Sequence, residues 1–312
     1  MAYAVETKDL TKRFGTLTAV NSLNLKIKEG EIFGFLGPNG AGKTTTISML
    51  TTLIKPTLGT AFVGDYDILK ESAEVRSIIG VVPQSFSLFP ELTPEENLAY
   101  IGKLYGMASG AIKARTEYLL KIVSLAEYRH KVAGEFSGGM KQRLSVAAGI
   151  ISSPKILFMD EPTSGLDPQS RIAIRELTRE LNKSGITIVY TTHDMEEAEK
   201  LCDRITIMDH GKVVADGTGS ELKHMISDGH TLEVELESLS AEIIAEVRKL
   251  PGVVSVARNG NLLNIKVSRR NGIFFRLSDF FLKRKQKVVE IRFKEHSLED
   301  VFIHLTKKDL RD

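Results

Sequence analysis

The sequence predicts an α/β domain with a mixed sheet, part of it antiparallel, and an α-helical insert, followed by a small α+β domain of the ferredoxin-like class. Strand-like and helical segments alternate in residues 1–222, which favours an α/β core. Three helical patterns follow one another in about residues 90–150, at 94–107, 111–125 and 140–150. In residues 223–312 the segments follow the order β-α-β-β-α-β, the order of the ferredoxin-like arrangement.

The composition suits a soluble globular protein with one large or two ordinary domains. The chain has 312 residues, of which 42% are hydrophobic and 26% are charged. No apolar run approaches the roughly 18 residues that would span a bilayer, so we do not expect an integral membrane protein. The N-terminus lacks the apolar core of a signal peptide, and the single cysteine, Cys202, suits a reducing cytosol.

The N-terminal part of the chain predicts strands around one helix. Residues 2–10 and 23–30 alternate apolar and polar side chains, and residues 31–37 form a continuous apolar run that ends in glycine. Residues 46–54 are amphipathic, which predicts a helix that stops at Lys55–Pro56.

The rest of the first domain predicts buried strands and one more hairpin. A buried strand is expected at residues 77–84, and two more at 155–162 and 186–194. The last two lack alternation, as parallel strands covered by helices on both faces do. Residues 171–185 have a helical period, and residues 204–217 predict a hairpin.

The second domain is predicted from six segments and two local signals. The segments are a strand at 231–237, a helix at 241–250, a hairpin at 253–267, a helix at 272–286, a strand at 288–293 and a closing helix at 297–310. The hairpin turns at Asn259–Gly260, a pair that favours a tight turn. Ser297 is expected to cap the closing helix, with Asp300 three residues further on.

Residues Gly37–Thr44, GPNGAGKT, fit the phosphate-loop pattern G-x-x-x-x-G-K-[ST], between a predicted buried strand and a predicted helix. Backbone N–H groups in such a loop form a nest for phosphate. Lys43 is expected to reach the β- and γ-phosphates, and the Thr44 hydroxyl to ligate Mg²⁺. The residues predicted to contact the nucleotide here are Asn39, Gly40, Ala41, Gly42, Lys43, Thr44 and Thr45.

Two carboxylates, Asp160 and Glu161, end the predicted strand at 155–162. In a parallel sheet this carboxyl edge lies beside the phosphate loop. Asp160 is therefore expected to hold Mg²⁺ through water, and Glu161 to be the general base that activates the attacking water.

The motifs together resemble those of ATP-binding-cassette (ABC) ATPases, through nearly all of residues 1–220. GPNGAGKTT resembles the Walker A motif and ILFMDE the Walker B motif. Phe136–Gln142 resembles the signature LSGGQ-x-Q, with Phe in place of Leu and Met140 in place of the first Gln. Ser164–Asp167 resembles the D-loop of the family.

The resemblance implies further site residues. Gln84 matches the Q-loop glutamine, which senses Mg²⁺ and the attacking water, and His193 matches the switch histidine that senses the γ-phosphate. Phe14 matches the aromatic residue that stacks on adenine, with Val20 beside it. The resemblance also implies that Asp167 lies across a dimer interface, near the partner's site.

The signature has a particular meaning in this family. Ser137 and Gly139 stand at the start of a predicted helix, where the positive end of the helix dipole favours an anion. The resemblance implies that this helix start faces the γ-phosphate bound to the phosphate loop of a second subunit. Two ATP molecules would then be enclosed in a head-to-tail homodimer.

The resemblance extends to partners and to the second domain. A cassette followed by about ninety residues that end in SLEDVFIHLT resembles the ATP-binding subunits of ABC-2 exporters of the daunorubicin-resistance type. These subunits pair with a polytopic permease at the cytoplasmic face of the cell membrane, and the apolar residues that follow Gln84 suit such docking. The second domain would stabilise the dimer or regulate the cycle.

Other ABC ATPases act on DNA or on ribosomes, and a regulatory cassette without hydrolysis is a further alternative. DNA-acting members carry long coiled coils between the phosphate loop and the signature, and translation factors carry two cassettes, neither of which this sequence contains. The predicted Glu161, His193, Gln84 and signature argue against a degenerate site. No nucleic acid is expected as a partner.

A basic stretch remains outside these motifs. Residues 266–287 contain eight Lys or Arg and one Asp, which is ordinarily a solvated helix face. Four phenylalanines fall in pairs on the helix predicted there, at 274–275 and 280–281. They are expected to form the core of the second domain and could also serve a partner surface.

Overall fold

Residues 3–226, 230–268, 272–294 and 296–309 are described by a computed structural model of the chain. The chain divides into two compact units, Met1–Gly219 and Ser220–Asp312. This division lies three residues before the predicted boundary between residues 222 and 223. Each unit has a hydrophobic cluster of its own.

The strands of the described residues are β1 Tyr3–Phe14, β2 Leu17–Lys28, β3 Ile32–Leu36, β4 Leu58–Val63, β5 Tyr66–Asp67, β6 Ile79–Val82, β7 Ile156–Asp160, β8 Thr187–Thr192, β9 Arg204–Asp209, β10 Lys212–Gly217, β11 His230–Leu236, β12 Val253–Asn259, β13 Leu262–Val267 and β14 Val288–Lys294. The α-helices are α1 Lys43–Leu50, α2 Ser72–Ile78, α3 Pro94–Leu104, α4 Ser109–Ile122, α5 Gly138–Gly149, α6 Pro168–Lys183, α7 Met195–Leu201, α8 Gly219–His224, α9 Ala241–Val247, α10 Ile273–Lys283 and α11 Leu298–Asp309. Two 3₁₀ helices, Ala126–Tyr128 and Ala133–Glu135, precede α5.

The main sheet of the first unit has the strand order β10-β9-β3-β8-β7-β6. Strands β9, β3, β8, β7 and β6 are parallel, and β10 is antiparallel to β9. Every residue of β3, β7 and β8 is buried, which explains why these segments lack alternation. The carboxyl ends of these three strands meet at one edge, and the residues that follow them converge there.

A second, antiparallel sheet has the order β2-β1-β4-β5. One hydrophobic cluster joins buried side chains of both sheets and of α1, among them Ile27, Phe35, Met49, Val63 and Phe158. Helix α1 is therefore anchored by this core through Ile47, Met49 and Leu50.

The structure corrects several predicted boundaries. Helix α1 ends at Leu50 rather than at residue 54, because Thr52 takes a left-handed conformation with φ +62° that closes the helix. Strand β6 begins at Ile79 rather than at residue 77, because the preceding residues belong to α2. Helix α9 ends at Val247, three residues before the predicted end at 250. Strands β4 and β5 and helices α2, α7 and α8 were not predicted.

The second unit contains the predicted β-α-β-β-α-β order, followed by α11. Its four strands form an antiparallel sheet in the order β12-β13-β11-β14, and the ferredoxin-like assignment stays a prediction. Ser297 Oγ accepts the Asp300 N–H at 3.1 Å while Asp300 Oδ2 accepts the Ser297 N–H at 2.9 Å, so the predicted cap of α11 is present. Position 310 of the predicted closing helix and position 2 of the first predicted strand lie outside the described residues.

Candidate nucleotide site

The loop Gly37–Gly42 connects β3 to α1 and has the backbone geometry of a phosphate cradle. Gly40 and Gly42 have φ values of +85° and +103°, a region that favours glycine. A Cβ on Gly42 would lie 2.4 Å from the Ala19 carbonyl oxygen, so only glycine fits at this point. Asn39 and Gly40 are exposed at the tip of the loop, whereas Ala41 is buried.

Lys43, the first residue of α1, is buried and turns its ammonium group back over the loop. Its Nζ donates to the carbonyl oxygens of Gly37 at 2.7 Å and Pro38 at 3.1 Å. The same nitrogen lies 3.1 Å from Glu161 Oε1. Thr44 is exposed and Thr45 is half-buried, so their side chains border the loop on the helix side.

Glu161 joins three of the sequence motifs. It follows β7 with φ +46°, and its N–H donates to Thr191 Oγ1 at 2.8 Å. One carboxylate oxygen contacts Lys43 and the other lies 3.0 Å from His193 Nδ1. Glu161 is only 7% exposed and His193 is half exposed. The predicted base, the loop lysine and the switch histidine are therefore brought together.

Asp160 is buried beside them and is oriented by the neighbouring strand. Thr191 Oγ1 donates to Asp160 Oδ1 at 2.6 Å while accepting the Glu161 N–H. A single threonine hydroxyl thus fixes both carboxylate residues at the end of β7.

These residues fit a nucleotide with Mg²⁺. A lysine ammonium, loop N–H groups, the exposed Thr44 hydroxyl and the Asp160 carboxylate are the donor types such a complex needs. Within the described residues no group of three His, Cys, Asp or Glu could hold a metal by itself. When Mg²⁺ binds together with a nucleotide, it takes one or two protein ligands and completes its coordination with phosphate oxygens and water.

Phe14, Val20 and Gln84, for which the resemblance implied roles at the nucleotide, differ in their exposure. Phe14, at the end of β1, is half exposed, and Lys12 Nζ lies 5.1 Å from the centre of its ring. Val20 is fully buried and packs beneath the phosphate loop, where a Cβ on Gly42 would lie 3.4 Å from its Cγ2. Gln84 is exposed in a bend that follows β6.

The signature helix α5 begins away from these carboxylates. Ser137 is exposed and caps the helix by accepting the Met140 N–H at 3.3 Å. Gly139 packs so closely on Ser170 that an added Cβ would lie 2.1 Å from its Oγ. Among the described residues no hydrogen bond or ion pair joins Ser137 to the phosphate loop or to Glu161.

Asp167 ends the predicted D-loop and caps α6. Its two carboxylate oxygens accept the Ser170 N–H at 2.9 Å and the Ser170 hydroxyl at 2.6 Å. These hydrogen bonds, the one from the hydroxyl first, hold the pKa of Asp167 below its usual value. Ser170 therefore connects Asp167 with the start of the signature helix at Gly139.

Glu197, in α7, was not predicted from the sequence. It is 4% exposed, and its Oε2 accepts hydrogen bonds from Thr163 at 2.7 Å and from Thr192 at 3.1 Å. Thr163 stands two residues after Glu161, and Thr192 directly precedes His193. One buried carboxylate thus joins the loop of the predicted base to the loop of the switch histidine.

A capping pattern could have drawn attention to Glu197. Asp194 caps α7 by accepting the Glu197 N–H at 3.0 Å, so the two residues stand in the positions of a capping box. The Glu197 side chain turns inward instead of completing that box.

Burial, followed by the nearby charge of Glu197, raises the pKa of Tyr190 well above its ordinary value.

Comparison with known proteins shows the family of this chain. A family model described as ABC transporter matches residues 20–164, and an AAA domain model matches residues 131–199. The linearmycin resistance ATP-binding protein LnrL of Bacillus subtilis (strain 168) is 38% identical over 310 residues, which cover 99% of this chain and 100% of that protein. This chain belongs to the ABC transporter ATP-binding protein family.

Two more relatives extend the family assignment. The daunorubicin/doxorubicin resistance ATP-binding protein DrrA of Streptomyces peucetius is 41% identical over 243 residues, 78% of this chain and 73% of that protein. The Nod factor export ATP-binding protein I of Ralstonia nicotianae is 36% identical over 305 residues, 97% of this chain and 94% of that protein. The chain is accordingly an ABC ATPase and binds nucleotide.

Solved ABC structures share the fold. The dimeric ATP-binding cassette MJ0796 in a post-hydrolysis state with ADP and Pi has a TM-score of 0.63 and 31% identity, covering 69% of this chain and 98% of that one. The cbiO1 subunit from Clostridium perfringens has a TM-score of 0.67 and 27% identity, covering 80% of this chain and 97% of that one.

In the described part of the ABC chain, no helix is both long and apolar enough to cross a membrane.

Proposed function

We propose that this chain is the ATP-hydrolysing subunit of an ABC-type membrane exporter. It would work at the cytoplasmic face of the cell membrane with a polytopic permease, and two copies would close on two ATP molecules as a homodimer. The observation that carries this proposal is an apolar groove whose wall continues directly from the Gln84 bend. Nucleotide site and partner surface would then share one segment of chain.

At the nucleotide site, Lys43 would bind the β- and γ-phosphates, Thr44 and Asp160 would hold Mg²⁺, and the loop N–H groups would orient the phosphates. Mg²⁺ supplies charge neutralisation at the phosphates when it is bound. Because Lys43 is held by Glu161 and two carbonyl oxygens, nucleotide binding would exchange these contacts for phosphate oxygens. That exchange would leave the Glu161 carboxylate available to a water molecule.

Glu161 would act as the general base and His193 would orient it. The 3.0 Å contact between His193 Nδ1 and Glu161 Oε2 supports this pairing. The reaction transfers the γ-phosphoryl group to water, which gives ADP and phosphate, and Glu161 accepts the proton of the attacking water. Gln84 would sense the Mg²⁺ and water side of the site.

A second subunit would complete each site. Ser137 and Gly139 at the start of α5 would contact the γ-phosphate held by the partner, and Asp167 would lie near the partner's site. Phe14 would stack on the adenine. ATP would stabilise the closed dimer, and loss of phosphate would reopen it.

The groove lies between the Gln84 segment and the helical insert and has a volume of about 530 Å³. Phe86, Phe89, Tyr100 and Leu104 line it, and each is at least 42% exposed. Phe89 and Tyr100 meet edge to face at a centroid distance of 4.8 Å. An aromatic recess with so much exposed apolar surface suits a short helical segment of another protein.

The groove also offers a polar group to such a segment. Ser145 lies in its wall, and its buried Oγ has no hydrogen-bond partner within the described residues. A buried hydroxyl without a partner costs free energy, which a bound segment with a donor or acceptor would recover. The groove therefore suits a partner with both apolar and polar contacts.

Export, rather than import, is proposed from the relatives. LnrL and DrrA are named for resistance to linearmycin and to daunorubicin or doxorubicin, and a third relative is named for Nod factor export. The substrate of this chain's transporter would be of a comparable drug, lipid or polysaccharide class and would be chosen by the permease.

The experiment that tests the proposal is affinity capture of tagged Glu161→Gln protein from native membranes in the presence of ATP. We expect a polytopic membrane protein to be captured. Leu104→Asp, introduced into the same chain, should remove that protein because Leu104 is 70% exposed in the groove wall. Leu53→Asp is the matched control, since Leu53 is 78% exposed and does not line the groove.

Capture of ribosomal or DNA-associated proteins without a permease would contradict the transport function and favour the alternative ABC classes. Capture of the permease by the Leu104→Asp chain as efficiently as by the control would contradict the groove assignment while leaving the transport function standing.

A further inference from the structure

Helix α10 of the second unit carries two different apolar faces. Ile273, Leu277 and Phe281 are buried and belong to the hydrophobic cluster of this unit. Phe275 and Leu282 are instead 77% and 74% exposed. The paired phenylalanines of the sequence are therefore divided, with Phe281 in the core and Phe275 on the surface.

The two exposed side chains form one line along the helix. Leu282 follows Phe275 by seven positions. This offset is about 20° short of two full helical turns and about 10 Å along the helix axis. Side chains that are three-quarters exposed protrude from the surface rather than line a recess. The outer face of α10 is therefore an apolar ridge, made by Phe275 and Leu282.

Basic residues outnumber acidic ones in the segment that carries this ridge. From Ile273 to Lys287 the chain has five Lys or Arg and a single acid, Asp279. Asp279 Oδ2 is already paired with Lys283 Nζ at 2.6 Å. Arg284 is paired with Glu246 at 2.9 Å, and Lys287 is paired with Glu237 at 3.0 Å. Arg276 and Lys285 form no ion pair with a carboxylate in the described part of the chain. Arg269 and Arg270, which belong to the same basic stretch of the sequence, lie outside the described residues.

The charge decides which partner the ridge fits. A second copy of α10 would bring two positively charged helices together, which repels. A surface with negative charge above an apolar interior complements both features, and that description fits a bilayer with anionic headgroups. Amphipathic helices with basic flanks bind such interfaces by burying apolar side chains at the acyl boundary.

We propose that α10 is a peripheral membrane-binding surface for anionic lipid. Phe275 and Leu282 enter the boundary between headgroups and acyl chains, and Arg276 and Lys285 contact headgroup phosphates. The proposal concerns the chain and a lipid surface alone, so it requires neither ATP hydrolysis nor a permease.

The first test is flotation of the full chain with vesicles of phosphatidylcholine containing 30% phosphatidylglycerol, without nucleotide and at low salt. We expect flotation with these vesicles and little with pure phosphatidylcholine. Arg276→Gln combined with Lys285→Gln should weaken the partition coefficient about 30-fold, since each basic residue near an anionic surface contributes about 1 kcal/mol. Phe275→Ser combined with Leu282→Ser should weaken it at least tenfold.

Leu53→Ser combined with Leu58→Ser is the matched control. These two leucines are 78% and 56% exposed in the first unit, so the double variant removes the same kind of apolar surface elsewhere. Its partition coefficient should equal that of the unchanged chain. Melting curves of all variants check that they fold.

A fluorescence measurement locates the contact itself. The chain contains no tryptophan, so Phe275→Trp introduces a unique indole that keeps an aromatic side chain at the ridge. We expect its emission to shift to shorter wavelength with anionic vesicles and to be quenched by brominated acyl chains. The indole of Leu53→Trp should show neither effect.

Three results would overturn the proposal. One is equal flotation with anionic and with uncharged vesicles, and another is absence of flotation with both. The third is a ridge variant that floats as well as the leucine control but changes oligomeric state, which would assign the ridge to a second copy.

Discussion

The N-termini of α1 and α5 are both suited to phosphate, yet their surroundings differ. At α1, Lys43 contacts Glu161, and Glu161 contacts His193, so a cation, a carboxylate and an imidazole converge within one chain. At α5, exposed Ser137 accepts a hydrogen bond from Met140 and contacts none of those groups. Three ionisable side chains in contact therefore lie beside the start of α1, whereas Ser137 at the start of α5 contacts none of them.

This difference teaches how the work of the cassette is divided. The start of α5 by itself has backbone N–H groups that suit a phosphate, whereas the α1 side also has the ammonium group of Lys43 and the carboxylate of Glu161, 3.1 Å apart. We propose that two copies combine these features, because the N-terminus of α5 in each copy would lie against the α1 site of the other. The predictions below test that division, from the largest expected effect to the smallest.

Removing the cation at α1 should have the largest effect. Lys43→Ala should weaken nucleotide binding by about 100-fold or more, because charge-assisted hydrogen bonds to phosphate contribute roughly 3 kcal/mol. It also leaves Glu161 buried without its ammonium partner. Binding of a fluorescent ATP analogue measures the change, with the exposed Lys70→Ala as the control. Unchanged affinity in Lys43→Ala would contradict the role of the loop.

A substitution at the N-terminus of α5 should leave nucleotide binding intact but stop ATP hydrolysis. Ser137→Arg should lower kcat at least about 100-fold, because the γ-phosphate loses its second set of donors, while nucleotide affinity changes little. Steady-state hydrolysis and equilibrium binding separate the two effects. Ser77→Arg, at another exposed serine, is the control. Loss of nucleotide binding in Ser137→Arg would place this residue in the site of its own chain.

Mixing the two variants sharpens the comparison. In a mixed dimer of Lys43→Ala and Ser137→Arg subunits, one site combines an unchanged Lys43 with an unchanged Ser137. At equal concentrations we expect hydrolysis to recover to at most about a quarter of normal, since half of the dimers are mixed and each has one intact site. Recovery of ATP hydrolysis in the mixture would contradict the alternative in which Ser137 contacts the phosphate bound by its own chain.

The buried carboxylate of Glu197 should have an intermediate effect. Glu197→Ala removes the acceptor shared by Thr163 and Thr192, so the loops of Glu161 and His193 lose their common support. We expect kcat to fall about tenfold with little change in KM, and unfolding to become easier by roughly 2 kcal/mol. Glu197→Gln, which keeps an acceptor oxygen, should restore most of both. A purely structural role would lower stability and leave kcat unchanged.

The smallest effect is expected at Asp167. Its pKa is lowered in the folded chain by hydrogen bonds from Ser170, so its contribution to stability is present above the unfolded pKa of about 3.9 and is lost as the pH falls through the folded value. Asp167→Ala should lower the melting temperature by a few degrees at pH 7 and by less near pH 3. Asp167→Asn keeps a capping oxygen and is the control. A decrease in the melting temperature of Asp167→Ala that is equal at both pH values would contradict stabilisation by the ionised Asp167 carboxylate.

The sequence predicted the residues around α1 because their chemistry requires fixed backbone positions. A structure is not needed to recognise the spacing of the glycines, the lysine and the two carboxylates after an apolar strand. In the structure, Glu161 contacts both Lys43 and His193. Glu197 was missed because its role depends on the direction of its side chain. Nothing in the pattern of α7 distinguishes an inward Glu197 from a capping one.

The same limit applies to the fold. Fully buried strands such as β3, β7 and β8 were predicted because their continuous apolar runs are short, which favours a strand over a helix of about ten or more residues. Strand β5 has two residues, too few to produce a pattern, and β4 alternates only weakly. Helix α10 carries four phenylalanines, which the sequence placed on one predicted helix, but only the structure separates exposed Phe275 from buried Phe281.

The most direct test of the central claim is the oligomeric state of Glu161→Gln with ATP and Mg²⁺, measured by light scattering after size exclusion. The account predicts a dimer with ATP, a monomer without it and almost no hydrolysis. Adding Ser137→Arg to the same chain should abolish the dimer without loss of ATP binding. A Glu161→Gln chain that binds ATP and stays monomeric, or that hydrolyses ATP at the normal rate, would contradict the account.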